Sequence, residues 1–242
     1  MLHNTSLFIK SETTKFCRSV NLTIVVMKKS THLLILTLLT IFSIVLQSCK
    51  KEENSISLMS SFIDERDGQS YATVIIGSQT WMAENLNYEA TNSWLPNNDS
   101  AMGALYGRLY TWESALNSCP EGWHLPSDEE WKTLEKHLGM SQASADSLSI
   151  RGTDQGTKLK SESGWIYGGN GTNQSGFNAL PAGGYFQYGS TFLSIQYSGY
   201  WWTSTSFDET SALYRELLFL SPDINRFFYT KTDAFSVRCI KD

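Results

Sequence analysis

A continuous apolar stretch near the start of the chain differs from every pattern that follows it. Leu33 to Leu46 spans 14 residues and contains only three hydroxyl side chains. A membrane-spanning helix needs about 20 apolar residues, so this stretch is too short to span a bilayer well. Lys28 and Lys29 precede it, and Cys49 follows it after two polar residues. This order indicates an export signal, and a buried core helix is the alternative interpretation.

The tetrapeptide at residues 46–49, Leu-Gln-Ser-Cys, resembles the lipobox of bacterial lipoproteins, in which the cysteine is acylated and begins the mature protein. We therefore expect a lipoprotein signal peptide at residues 27–48, and the membrane as a partner through a lipid on Cys49. Each buried methylene of an acyl chain contributes about 0.8 kcal/mol, so two or three chains hold a protein firmly. Residues 1–26 are interpreted as the product of an upstream start site that precedes the true start at Met27.

Residues 49–63 are expected to form a lipidated, flexible tether, because Cys49 is followed by the charged run Lys-Lys-Glu-Glu. A charged run that contains acidic residues directly after the lipid-bearing cysteine resembles the surface-export signal of Bacteroidetes lipoproteins. The expected location is therefore the outer membrane, on the cell surface, and the periplasmic face is the alternative.

Three patterns after the tether predict regular elements. Tyr71–Ile76 and Gln79–Met82 are rich in strand-forming residues and flank Gly-Ser, which predicts a hairpin. Residues 105–118 carry apolar side chains at helical spacing, which predicts an amphipathic helix. Ser127 and Glu130 form a capping box at the start of a further helix, and Gly139 is expected to end it.

The second half of the domain divides into an irregular part and a strand-rich part. Residues 140–200 are rich in Gly, Ser and Asn and predict long loops, which are usually functional or mobile. Trp201 and Trp202 are adjacent on a predicted strand, so one is expected to point inward and the other outward. The predicted strands are residues 200–205, 211–220, 225–230 and 234–240.

Composition and charge exclude one class of partner. The chain from Cys49 onward has 14 basic and 23 acidic residues, a net charge of −9, and it holds all eight tryptophans and all 17 glycines. A domain with no basic stripe does not fit the electrostatic pattern of nucleic-acid binding, so no nucleic acid is expected as a partner. Its 194 residues suffice for one large domain with a core of its own.

Cysteine counting leaves one pair. Cys17 lies in the leader and Cys49 is assigned to the lipid, so Cys119 and Cys239 remain. An exported protein meets an oxidising compartment, which favours a disulfide between them, and two free buried thiols are the alternative. In the chain-entropy model, a disulfide that closes a loop of about 120 residues contributes about 4 to 5 kcal/mol to the free energy of unfolding.

Several segments together resemble the Fibrobacter succinogenes major paralogous domain family of exported bacterial proteins, in the family's own order and across residues 64–242. The segments that carry the resemblance are Asp67–Glu89, Ala104–Trp131, Gly156–Trp165, Gly176–Tyr185, Gly199–Ser206 and Phe235–Asp242.

That family is distantly similar to the formylglycine-generating and sulfatase-modifying domains. The resemblance therefore implies an α+β fold, a variant of the C-type-lectin-like fold, with twisted antiparallel strands, two main helices and long irregular loops.

Enzymes of the formylglycine-generating family use a cysteine pair that binds copper, and iron-dependent relatives use several histidines. The chain after Cys49 has only His124 and His137, and Cys239 is the only cysteine near its end. His137 falls in the last turn of the capped helix, where it offsets the helix dipole. His124 is interpreted as a packed, hydrogen-bonded residue. We therefore expect no catalytic residue, no metal site and no cofactor, while an enzyme with an unusual site remains the alternative.

Aromatic residues in a Gly- and Ser-rich context are the strongest candidates for ligand binding. Aromatic faces beside hydroxyl groups stack on sugars or grip protein surfaces. The expected function is a non-catalytic, lipid-anchored binding module for a glycan or a cell-surface protein, and a structural surface-coat or fimbria-associated component is a further alternative. The candidate ligand-binding residues are Tyr185, Tyr188, Tyr197, Tyr200 and Trp202.

Overall fold

A computed structural model describes residues 60–242 of the chain. The predicted signal peptide, Cys49 and most of the predicted tether lie outside the described residues. Within residues 60–242, no helix is both long and apolar enough to cross a membrane.

Strands dominate the fold. They are β1 (Ser60–Ile63), β2 (Ser70–Ile76), β3 (Gln79–Met82), β4 (Ser93–Trp94), β5 (Leu109–Thr111), β6 (Trp123–His124), β7 (Ser149–Arg151), β8 (Gly184–Phe186), β9 (Thr191–Leu193), β10 (Ser198–Ser206), β11 (Ser211–Leu218), β12 (Ile224–Thr230), β13 (Ala234–Ser236) and β14 (Ile240–Lys241).

The strands form two sheets. The smaller has the order β1-β2-β3-β14-β6, and the larger has the order β4-β5-β13-β10-β11-β12-β7, with β8 paired to β13 and β9 paired to β8. The pairing of β10 with β13 is parallel, and the other strand pairings in the two sheets are antiparallel. The expectation of an α+β fold with mainly antiparallel strands is confirmed, and the larger sheet is curled.

The helices are few and short. They are α1 (Ser100–Tyr106), α2 (Trp112–Ala115), α3 (Asp128–His137), α4 (Gln142–Asp146) and α5 (Gln155–Leu159), and single 3-10 turns lie at Pro96–Asn98 and Ile166–Gly168. The prediction for α3 is confirmed in detail. The Ser127 side chain accepts from the backbone of Glu130, and the Glu130 side chain accepts from the backbone of Ser127.

The predicted helix over residues 105–118 is wrong. The chain leaves α1 at Gly107, which has φ +73°, and a Cβ atom there would lie 2.7 Å from the carbonyl oxygen of Leu86. Leu109 to Thr111 then pair with β13, and only Trp112–Ala115 is helical. The apolar residues have helical spacing, but they do not form one helix, because a left-handed glycine and the pairing of β5 both interrupt it.

Two further expectations are corrected by packing. Ser60–Ile63 lies in the segment that is expected to be a flexible tether, but it forms a strand that pairs with β2. The ring centroid of Phe62 lies 4.5 Å from that of Trp123. Trp201 and Trp202 do point to opposite faces of β10, yet both are fully buried, because each face is covered by its own apolar cluster. The predicted hairpin at residues 71–82 and the predicted C-terminal strands are confirmed, with residues 234–240 divided between β13 and β14.

A buried ion network fixes α3 to the larger sheet. Arg215 of β11 donates to Glu135 at 2.6 Å and to Asp128 at 2.8 Å, and all three side chains are almost completely buried. Arg226 also donates to Asp128, and Arg151 to Glu135. Burial opposes ionisation of Asp128, but the two arginines lower its pKa to about 2.

A further buried guanidinium, that of Arg238, has no carboxylate within ion-pair distance among the described residues. It donates to the side-chain oxygen of Asn85, at 2.7 Å from Nη2, and to the carbonyl oxygens of Met82 and Phe177. The Asn85 oxygen also accepts from the indole of Trp201 at 2.9 Å. Complete burial lowers the pKa of Arg238 to about 9, and the charge of Glu84 opposes this only in part. All the atoms that accept hydrogen bonds from the guanidinium are neutral oxygens.

The predicted disulfide between Cys119 and Cys239 is present. It joins the segment before β6 to the residue before β14, across a sequence separation of 120 residues. The bond therefore ties together the segments that lead into β6 and β14, two neighbouring strands of the smaller sheet.

Replacement of Arg238 is expected to destabilise the domain strongly. Arg238→Met leaves the carbonyls of Met82 and Phe177 without this donor, at a cost of about 3 kcal/mol. Lys241→Met removes a cation from an exposed position three residues later and should change the free energy of unfolding by less than about 0.5 kcal/mol. Urea unfolding of both variants checks this, and equal effects would contradict the role of Arg238.

His124 bridges the end of the described chain and the capping box of α3. Its Nδ1 lies 2.6 Å from a carboxylate oxygen of Asp242, and its Nε2 lies 2.9 Å from one of Glu130. Partial burial disfavours the charged imidazole and lowers the pKa of His124. The hydrogen bonds to the two carboxylates outweigh this effect, so the net result is a raised pKa. The interpretation of His124 as a hydrogen-bonded residue is confirmed. His137 lies in the last turn of α3, as predicted.

The raised pKa of His124 predicts a pH-dependent contribution to stability. The contribution is fully present below the unfolded pKa of about 6.5 and is lost as pH rises through the higher folded value. The side chain is 42% exposed, so the effect should stay below about 1 kcal/mol. His124→Gln should therefore lower the free energy of unfolding more at pH 5.5 than at pH 8.5. A difference that is independent of pH would contradict the ion-pair assignment.

Candidate functional site

Four aromatic side chains on one face of the larger sheet form a closed cycle, in which each side chain contacts the next. The centroids of neighbouring rings lie 6.0 Å apart between Phe186 and Tyr200, 6.0 Å between Tyr200 and Tyr214, 6.1 Å between Tyr214 and Tyr229, and 5.6 Å between Tyr229 and Phe186. Pairing of Tyr200 with Glu216 sets the register of β10 and β11, and pairing of Ala212 with Tyr229 sets that of β11 and β12, which brings Tyr200, Tyr214 and Tyr229 onto one face. Phe186 is contributed by β8.

These rings line an open cleft of about 570 Å³, which we call the aromatic cleft. A site of this size accepts a small organic group or a single side chain of a larger partner. Its lining residues are Phe186, Tyr188, Leu193, Ser194, Tyr200, Tyr214, Glu216, Tyr229, Thr230 and Asp233.

Phe235 supports the four rings from below. It is fully buried, and its ring centroid lies 4.9 Å from that of Tyr200, 5.4 Å from Tyr214, 5.7 Å from Tyr229 and 5.9 Å from Phe186. The four rings therefore pack on a residue of β13, and this packing fixes the walls of the aromatic cleft.

A hairpin forms one wall of the aromatic cleft. β8 and β9 are joined by a turn in which the backbone N–H of Ser190 donates to the carbonyl of Gln187, and Gly189 has φ +95°. A left-handed residue at this third position of a tight turn favours glycine. The turn leaves Tyr188 completely exposed at the rim.

The polar groups of the aromatic cleft are acidic. Asp233 and Glu216 are 2% and 9% exposed, and the set of lining residues contains no lysine, arginine or histidine. Burial raises the pKa of Asp233, and burial together with the charge of Glu216 raises the pKa of Tyr200. The aromatic cleft thus combines electron-rich ring faces with a negative electrostatic potential.

The five predicted ligand-binding residues separate into three groups. Tyr188 and Tyr200 line the aromatic cleft. Tyr185 stacks on Trp94, with ring centroids 4.8 Å apart, and Tyr197 packs against Tyr167 and Phe219, so both lie elsewhere.

The prediction for Trp202 is wrong, because the residue is fully buried. Its indole donates to the carbonyl oxygen of Tyr110 at 2.9 Å, and its ring packs on Phe235, with centroids 4.4 Å apart. Both faces of β10 are covered, so neither Trp201 nor Trp202 remains outside.

Eight of the ten residues that line the aromatic cleft are not predicted from the sequence, and five of these are aromatic or acidic. Two of them, Tyr214 and Glu216, alternate on the predicted strand, so they share a face by the two-residue period. The two-residue period can be recognised in the sequence. The strand register that places Tyr214 and Glu216 next to Tyr200 cannot. The aromatic and acidic residues among those missed are Phe186, Tyr214, Glu216, Tyr229 and Asp233, and the others are Leu193, Ser194 and Thr230.

Metal ligands do not cluster in the part of the chain that the structure describes. Residues 60–242 contain no group of three or more His, Cys, Asp or Glu side chains that could hold a metal ion. Cys239 lies in the disulfide, and His124 lies between two carboxylates.

Comparison with known proteins identifies a family and nothing closer. No curated protein and no solved structure matches the chain. The family described as the Fibrobacter succinogenes major domain matches residues 74–241, which include both sheets except β1 and the start of β2, and the whole aromatic cleft. On the strength of that match, the chain belongs to the Fibrobacter succinogenes major domain family.

Proposed function

We propose that this protein is a non-catalytic binding module that holds a glycan or a protein partner in the aromatic cleft. The observation that carries the proposal is the ring of four aromatic side chains around an open volume, supported from below by Phe235. Aromatic anchors in preformed pockets supply most of the binding energy in many recognition sites.

The fold and the location are part of the same proposal. The curled, mainly antiparallel larger sheet and the short helices fit a variant of the C-type-lectin-like fold, in line with the distant resemblance to formylglycine-generating domains. The lipobox-like tetrapeptide at residues 46–49 supports a lipid on Cys49 and a place in the outer membrane, on the cell surface. A lectin-like domain carried at the surface is well placed to meet glycans and surface proteins.

Two other functions compete with this proposal and are separated from it by simple measurements. An enzyme related to the formylglycine-generating proteins would be indicated by stoichiometric copper or iron in the purified protein. A structural surface-coat or fimbria-associated component would be indicated by self-assembly of the purified chain at low micromolar concentration.

Truncation of Tyr188 is expected to weaken binding without affecting folding. A glycan array and a pull-down with the full chain in mild detergent identify the ligand. Tyr188→Ala should then lower its affinity at least about tenfold, because an aromatic anchor is removed. Tyr188 is completely exposed, so the melting temperature should not change.

Tyr167→Ala is the matched control, because Tyr167 is 73% exposed and does not line the aromatic cleft. Equal loss of affinity in the two variants would place the ligand elsewhere. Silence in both the array and the pull-down would contradict the binding function itself.

Lipidation is expected to depend on Cys49 alone. Cells that express the wild-type chain and are fed radiolabelled palmitate should yield a labelled protein, whereas Cys49→Ser should yield none. Cys17→Ser is the control, because Cys17 lies in the segment assigned to an upstream start, and it should leave the label unchanged. Label that persists in Cys49→Ser would overturn the lipoprotein assignment.

A further inference from the structure

The described part of the chain contains five buried acidic side chains, and they fall into two groups. Three are paired with arginine: Asp64 with Arg66, Asp128 with Arg215 and Arg226, and Glu135 with Arg151 and Arg215. The other two, Asp233 and Glu216, have no ion-pair partner among residues 60–242. Both of these side chains line the aromatic cleft.

The hydrogen bonds that these two carboxylates receive come from neutral groups. A carboxylate oxygen of Asp233 accepts from the backbone N–H of Gln187 at 2.7 Å, and one of Glu216 accepts from the amide of Asn225 at 2.9 Å. Neutral donors satisfy part of each carboxylate but leave its charge uncompensated. A buried charge without a counter-charge is costly, and a bound cation would remove that cost.

The surrounding rings favour the same kind of ligand. The faces of tyrosine and phenylalanine carry negative electrostatic potential and attract ammonium and guanidinium groups, most strongly where water is excluded. Lysine and arginine also bury their apolar stems against ring faces while the charged head remains near polar groups. A neutral sugar can hydrogen-bond to the carboxylates, but it does not neutralise them.

We propose that the aromatic cleft binds a cationic side chain, lysine or arginine, presented by a partner protein. This inference rests on the proposed binding function and narrows its ligand. The four rings enclose the aliphatic stem, and Asp233 and Glu216 receive the charged head. Charge complementarity selects this occupant, because the cleft presents two buried carboxylates and no basic residue.

The test uses the full chain in mild detergent and four small probes followed by NMR titration. Three are N-acetylated amino-acid methylamides, of lysine, arginine and norleucine, and the fourth is glucosamine. Norleucine matches the lysine stem without its charge. At low ionic strength, the lysine or arginine probe should bind at least about tenfold more tightly than the norleucine probe. Raising the salt concentration should reduce that preference.

Neutral isosteres of the two carboxylates test the site itself. Glu216→Gln and Asp233→Asn should each lower the affinity for the cationic probe by about tenfold and leave the affinity for the norleucine probe unchanged. Both replacements keep an oxygen that can accept the existing hydrogen bond, so folding should be preserved, which the melting temperature verifies. Glu162→Gln removes an exposed carboxylate outside the cleft and should change nothing.

The possible results separate this inference from the broader function. Equal affinity for the lysine, arginine and norleucine probes, or binding of glucosamine alone, would overturn the assignment of a cationic protein side chain. If Tyr188→Ala still weakens a ligand found by array or pull-down, the binding function stands while the inference fails. If neither class of variant affects any ligand, both fail.

Discussion

A fully buried guanidinium that has only neutral acceptors is the interaction on which this domain depends. Arg238 joins the end of β3 through Met82, the loop at Phe177, and β10 through the shared oxygen of Asn85. These segments are far apart in sequence. No carboxylate of residues 60–242 forms an ion pair with the guanidinium, and the more distant charge of Glu84 offsets only part of the cost of burial. The cation therefore remains stable only while all of its acceptors stay in place, which makes the packing of both sheets cooperative around it.

The same short segment that carries this cation also builds the aromatic cleft. From Asp233 to Cys239, it supplies a carboxylate of the cleft, the supporting ring of Phe235, the buried Arg238 and one half of the disulfide. One end lines the aromatic cleft, and the other end is fixed by a covalent bond and by the guanidinium. The positions of the four rings are therefore determined by the core, so the binding that we propose would incur little ordering cost.

Sequence reasoning succeeded where the determining interactions are local. The capping box at Ser127 and the hairpin at residues 71–82 depend on neighbours within a few positions, and both were predicted. The helix over residues 105–118 was predicted wrongly because Gly107 and the pairing of β5 with β13 override a local period. For the aromatic cleft, Tyr188 and Tyr200 were found from their context, whereas Asp233 joins them only through strand order.

Buried charges are paired differently in the core and in the aromatic cleft. In the core, Arg238 is satisfied by neutral oxygens, and the acidic residues of α3 are satisfied by arginines of the larger sheet. Each of those groups would lose its partners if the domain opened. The carboxylates of the aromatic cleft also have only neutral hydrogen-bond partners, but they differ from Arg238 because they line an open cleft, where the proposed cationic ligand could reach them. If the proposed ligand is the reason that these carboxylates are buried without a counter-charge, removing their charge should leave the folded state at least as stable as before.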